Sequence, residues 1–226
     1  SLVAAAKNDG NGTYNWQIRA IGINPNNAEY RQIYSQTNMA LAGTILAKTD
    51  LTETDKEQAS TLIQQAVREA KAAVALDGGN AIYWNNLATI YRQLVGTIEG
   101  AADWSFQAYS QAIALDPNNP NLKLDFGGLL YAAGMYEDAS RIFEQVVTLK
   151  PDLANGWYNL AYSEKKLNKL ALAINHLNQA VSLVPVNSGD YDKASKELAD
   201  WKEEYDALVR QQQAAVEETK EAETLK

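Results

Sequence analysis

The sequence predicts an all-α fold: a right-handed superhelical solenoid of antiparallel helix pairs with a long C-terminal helix. Two observations carry the prediction. Ala173, Leu177, Ala180 and Pro185 recur 34 residues earlier as Ala139, Phe143, Val146 and Pro151, and a further 34 earlier as Ser105, Tyr109, Ala112 and Pro117. A unit of that length cannot bury its apolar face alone, so it must stack on its neighbours. The second observation is the stripe Tyr191, Ala194, Leu198, Trp201, Tyr205 and Leu208, whose three–four spacing marks one face of a single long helix.

Taken in order, the chain divides into a partial repeat over 1–27, an extended repeat over 28–80, repeats over 81–119, 120–153 and 154–187, and a capping helix with a frayed charged tail over 188–226. The solenoid proper is residues 1–187. Expected helices lie near 13–23, 28–48, 55–77, 81–94, 104–116, 120–133, 137–149, 154–167, 171–184 and 190–215. Residues 1–12 read as the end of a partner helix followed by a Gly-Asn-Gly loop. The chain opens Ser1-Leu2-Val3 with no initiator Met and no signal peptide, and reads as a piece cut from a longer protein.

The turns separate these helices by recognisable chemistry. Asn24-Pro25-Asn26-Asn27 and Asp116-Pro117-Asn118-Asn119 are stops in which Pro breaks the preceding helix. The unit at 28–80 is 53 residues long, 19 beyond the period, and Thr52 or Thr54 is placed to cap its second helix. That helix carries Ala66, Ala70 and Ala73, a small-residue ladder suited to close helix crossings. Asp77-Gly78-Gly79-Asn80 replaces Pro, with Gly expected to end the helix in a left-handed cap. The unit at 81–119 is five residues longer than the period, the excess falling in 95–103. Gly134 is free to adopt positive φ in the next interhelix turn. After Arg210 the C-terminal stripe fades into Gln211-Gln212-Gln213 and Glu- and Lys-rich sequence. This segment reads as a terminal helix covering the last repeat, or as a short coiled-coil dimer.

Composition narrows the function. Of 226 residues 46% are hydrophobic, ample for a core, and the net charge is −8 with Lys and Arg scattered. A nucleic acid or anionic membrane needs a concentrated basic face, so neither is an expected partner. There is no Cys, which removes disulfides, thiolate nucleophiles and Cys-based zinc sites. The single histidine, His176, reads as a surface residue, and without a second His or any Cys a metal site would rest on carboxylates alone. No phosphate-cradling glycine motif occurs, so no cofactor is expected. Asn11-Gly12-Thr13 fits the glycosylation pattern only as short tripeptides do by chance. Glu203-Glu204 and Glu217-Glu218 are a solvated face, and nothing marks catalytic residues.

The repeats closely resemble the tetratricopeptide repeat, whose signature is W-x2-L-G-x2-Y, then A-x3-F, then P. Trp84, Leu87, Ala88 and Tyr91 match the first part with Ala for Gly. Trp157, Leu160 and Ala161 match it up to the last place, where Glu164 replaces Tyr. Ala139, Phe143 and Pro151 fit the second part. The resemblance covers about 13–187 and is weakest over 28–80. It implies a non-enzymatic scaffold that binds a protein or peptide along a concave groove lined by the first helix of each pair. Some members clamp a C-terminal carboxylate with paired Lys; the equivalent places here hold Asn85 with Thr89 and Tyr158 with Tyr162, so that clamp is not expected. A weaker resemblance links the extended unit, the glycine-spaced insertion and the charged tail to the soluble repeats of bacterial O-antigen-ligase-type membrane proteins. It implies an extracytoplasmic address.

Residues at i, i+4 and i+7 of a first helix point the same way. That phase selects Gln32, Gln36 and Met39; Asn85, Thr89 and Arg92; Leu124, Gly128 and Tyr131; and Tyr158, Tyr162 and Lys165. The candidate ligand groove is therefore Gln36, Asn85, Thr89, Arg92, Tyr131, Tyr158, Tyr162 and Lys165. Amides and phenols suit an extended peptide, by hydrogen bonding and by stacking. The alternative is that the tyrosines pack against adjacent helices. Two further functions remain open: self-association, with a monomer expected and a dimer through the C-terminal helix as the rival, and a targeting arm for a larger membrane-anchored or glycosyltransferase-type protein.

Overall fold

Ten helices make up the described residues of the computed structural model, which are residues 10–224, and no strand occurs among them. They fall into two compact units, Ser1–Asn118 and Asn119–Lys226. The first holds α1 (Gly10–Ile23), α2 (Ala28–Leu46), α3 (Glu53–Leu76), α4 (Ala81–Gln93) and α5 (Ala101–Leu115). The second holds α6 (Pro120–Ala132), α7 (Tyr136–Leu149), α8 (Ala154–Lys166), α9 (Leu170–Leu183) and α10 (Gly189–Thr224).

In the first unit consecutive helices pack in sequence, α1 on α2, α2 on α3, α3 on α4 and α4 on α5, and α2 also touches α4. Asparagines of the turns start the helices: Asn27 Oδ1 accepts from the Tyr30 N–H at 3.0 Å, and Asn80 Oδ1 from the Ile82 N–H at 3.0 Å. Thr52, of the two threonines proposed, caps α3 in a reciprocal box with Asp55, which also takes an ion pair from Lys48 at 2.6 Å. Ala66, Ala70 and Ala73 are fully buried, as their ladder predicts. Glu69 is buried beside them and neutralised by Arg31 and Arg68 at 2.5 and 2.9 Å.

Two local expectations are corrected here. Gly10–Gly12 begin α1 rather than a loop, while residues 1–9 lie outside the described residues. Gly78 is not left-handed. The turn after α3 is instead held by the Trp84 indole, whose Nε1–H donates to the Gly78 carbonyl at 2.8 Å. Trp157 does the same to Pro151 at 2.8 Å in the second unit. The repeat's tryptophan thus ties α4 and α8 each to the turn six residues before it.

In the second unit α6 packs on α7, α7 on α8, α8 on α9 and α9 on α10, with α6 touching α8. Asn119 caps α6, and Pro120 occupies its first turn, where a missing N–H costs nothing. One core joins Ala161, Leu170, Ala173, Leu177 and Ala180 to Ala194, Leu198 and Trp201 of α10. The apolar stripe of α10 therefore closes the last pair. Its helix runs to Thr224, beyond the expected end near 215, through a segment rich in the strong helix formers Ala, Gln, Glu and Lys.

The period is also written in the backbone. Gly100, Gly134 and Asn168 stand 34 residues apart, before α5, α7 and α9, with φ of 74, 77 and 60°. All three are in the left-handed region that glycine enters freely and asparagine tolerates best among the other residues.

Candidate functional site

The face selected by the i, i+4, i+7 phase is arranged differently in each unit. In the first unit Gln32, Gln36 and Met39 of α2 face Asn85 and Thr89 of α4 across a cavity of about 330 Å³, completed by Ile82, Asn86, Ile90 and Gln93. Only α2 and α4, the first helices of their pairs, line it. The volume lies at the low end for ligand clefts. No charged side chain lines this cavity, and Arg92 is not part of its wall.

Its polar groups divide into committed and uncommitted ones. Asn86 donates from Nδ2 to Ser35 Oγ at 2.8 Å, and the Ser35 hydroxyl donates to the Gln32 carbonyl at 2.6 Å, so Asn86 is structural. Thr89 Oγ1 lies 3.4 Å from the Tyr109 hydroxyl. Asn85 Oδ1, in contrast, is buried without a hydrogen-bond partner. Such a group carries a desolvation cost of roughly 1–3 kcal/mol.

In the second unit α10 reaches the corresponding side chains. The Tyr158 hydroxyl donates to Glu197 Oε2 at 2.9 Å, the Tyr162 ring meets Trp201 edge-on at 5.1 Å, and Lys165 pairs with Glu204 at 2.8 Å while lying 4.5 Å from the Trp201 ring centre. The Tyr158 and Tyr162 rings lie against each other at 4.7 Å, tilted by 33°. Burial raises the Tyr158 phenol well above its ordinary range, reinforced by its hydrogen bonds to Tyr162 and Glu197. Tyr162 is raised by burial as well. Tyr131 stands against Tyr136 at 5.2 Å and close enough to raise Tyr162 further. The tyrosines thus come together, with two of them seated under α10.

Clefts remain on either side of that contact. One of about 540 Å³ is lined by Asn155, Tyr158, Pro185, Asp190 and Lys193 among others. The other, about 520 Å³, includes Tyr162, Lys165, Trp201 and Glu204. Reading single helices overlooked the α10 residues, although the Glu and Lys set between its apolar stripe residues at 193, 197 and 204 were the available signal.

His176 is corrected from a surface residue to a half-buried partner. Its Nδ1 lies 2.7 Å from Glu164 Oε2, and its ring stands 5.4 Å from that of Trp157. Glu164, at the position where the signature has Tyr, is buried, and burial raises its carboxyl above the usual range against the opposing pull of His176. Among the described residues no group of three His, Asp or Glu is close enough to hold a metal ion, and no helix is long and apolar enough to cross a membrane.

Comparison with known proteins places this architecture. Tetratricopeptide-repeat family models match residues 97–161 and 154–187. The chain carries tetratricopeptide repeats. Their two matched segments include the Gly100, Gly134 and Asn168 turns and both first helices of the second unit. Among solved structures, MamA is similar at a TM-score of 0.64 and 17% identity, over 80% of this chain and 91% of MamA. A thermophilic repeat protein of Thermus thermophilus, TTC0263, gives 0.59 and 17% over 88% and 94% of the two chains. PilF of Pseudomonas aeruginosa gives 0.54 and 20% over 77% and 72%. At these identities the likeness is one of fold. No curated protein matches, and the resemblance to O-antigen-ligase-type proteins finds no support in the comparisons. Tetratricopeptide repeats are protein-interaction scaffolds, and this chain has that general character.

Proposed function

We propose that the chain is an interaction module without enzymatic activity of its own, holding an extended segment of a partner protein against the first helices of its repeats. The observation that carries this reading is the cavity between α2 and α4. Its walls hold Gln36, Asn85 and Thr89, the residues selected by helical phase, and no charged side chain. The clefts beside α10 offer Tyr158, Tyr162 and Lys165 as a secondary contact in the second unit.

The test begins with partners captured by the whole chain and compares two double variants. Gln36→Ala with Asn85→Ala weakens binding at least about tenfold while circular dichroism stays unchanged, because interface affinity concentrates in a few residues. Tyr158→Ala with Tyr162→Ala lowers the melting temperature by removing the seat of α10. Partners bound as tightly by the first variant as by the parent would move the site off α2 and α4.

A second reading, self-association, draws on α10 itself. The helix extends past Leu208 to Thr224, and Val216 on that extension is 52% exposed. Light scattering across a concentration series separates the readings: a monomer at every concentration removes self-association.

A further inference from the structure

We infer that the α2–α4 groove selects uncharged, extended peptide segments and holds them through their main-chain amides. This rests on the groove being the binding site, and it adds the chemistry of what enters. Gln32, Gln36, Asn85 and Gln93 each end in a primary amide, which offers one acceptor and two donors. An extended peptide presents alternating N–H and C=O groups along each edge, the complement of such a row. Met39 and Ile82 stand among the amides, and Ile82 is 58% exposed at the rim, giving a small apolar side chain of the ligand a surface to cover.

Charge decides against the other peptide classes. A carboxylate or phosphate is recognised by Arg, Lys or helix N-termini, and a basic segment by Asp or Glu. The walls contain neither kind of side chain. A charged ligand group brought into this cleft would lose hydration without an opposite charge to replace it. The groove therefore discriminates by leaving charges uncompensated as well as by matching amides.

The test uses a displayed library of random nine-residue peptides flanked by Gly-Ser linkers, selected on the full chain. The expected binders are depleted in Asp, Glu, Lys and Arg relative to the input library. Their affinity, followed by fluorescence anisotropy of the synthetic peptides, changes less than about twofold between roughly 50 and 500 mM salt, since no ion pairs are screened. Methylating alternate backbone nitrogens of the best binder weakens it at least about tenfold, as does Asn85→Leu or Gln36→Leu in the protein. Gln36 is exposed, so Gln36→Leu keeps the test informative if Asn85→Leu perturbs folding. Charged, salt-sensitive binders that still lose affinity in the Gln36 and Asn85 variants overturn the inference and leave the groove as the site. Binders indifferent to both variants, or a library yielding none, overturn the groove itself.

Discussion

At the scale of single residues, the repeats are set by places where only one side chain fits. A Cβ added at Gly127 would meet the buried Phe143 ring at 2.5 Å, whereas one at its neighbour Gly128 meets nothing within 4 Å. Gly127→Ala should therefore cost about 1–3 kcal/mol by overpacking. Gly128→Ala should gain about 0.5–1 kcal/mol, because it lowers the entropy of the unfolded helix segment without a clash. Urea titrations of the two variants check this, and shifts of the same sign would mean α6 is rotated from the described phase. Asn168 makes the matching case for the backbone. Held at φ 60°, it should tolerate Asn168→Gly but lose about 1–2 kcal/mol as Asn168→Val, since a β-branched residue resists the left-handed region.

At the scale of helices, α10 is the element whose removal separates capping from extension. Ala194, Leu198 and Trp201 complete the core against α9 and α8, while residues 209–216 contribute little burial of their own. Truncation at Asp190 should leave Leu177 and Ala180 facing water and produce aggregation or a lower melting temperature, because terminal repeats need a polar outer face. Deleting 212–226 should change neither, and a large loss would point to a partner for the distal helix. This division of α10 was legible in the sequence, because an apolar stripe and its end are local patterns. So were the helix positions, down to one or two residues at most ends, since Pro, Asn or Gly marks every turn except that at 47–52, where Thr52 caps the next helix. Less legible was what lies opposite each face. Phase groups Tyr158, Tyr162 and Lys165 on one helix face, yet their partners Glu197, Trp201 and Glu204 lie 39 residues along the chain, in a segment without the signature. The Glu164–His176 pair was hidden similarly, because neither residue alone implies the other across two helices.

At the scale of the whole molecule, both units bury phenols, and this sets an expected alkaline limit to stability. In the first unit the Tyr34 hydroxyl donates to Tyr14 at 2.9 Å, and burial, with that hydrogen bond, pushes its titration up to about 12. In the second, Tyr158, Tyr162 and Tyr131 are all raised, with burial the leading cause. An unfolded tyrosine ionises near pH ~10. Above that point the unfolded chain loses protons that the folded chain keeps, so the folded state binds more protons and its stability falls as pH rises. The contribution is full below about pH 10 and is lost as pH climbs through the raised folded values. Urea midpoints measured from about pH 8 to about pH 11.5 should be level at first and then decline. Tyr34→Phe and Tyr158→Phe should each flatten part of that decline, whatever they cost near neutrality, because they remove a phenol that titrates differently in the two states. A midpoint that holds to the alkaline end, or a slope unaltered in both variants, would show that these hydroxyls are solvated and that the tyrosine contacts with Tyr14 and Glu197 are not maintained in solution.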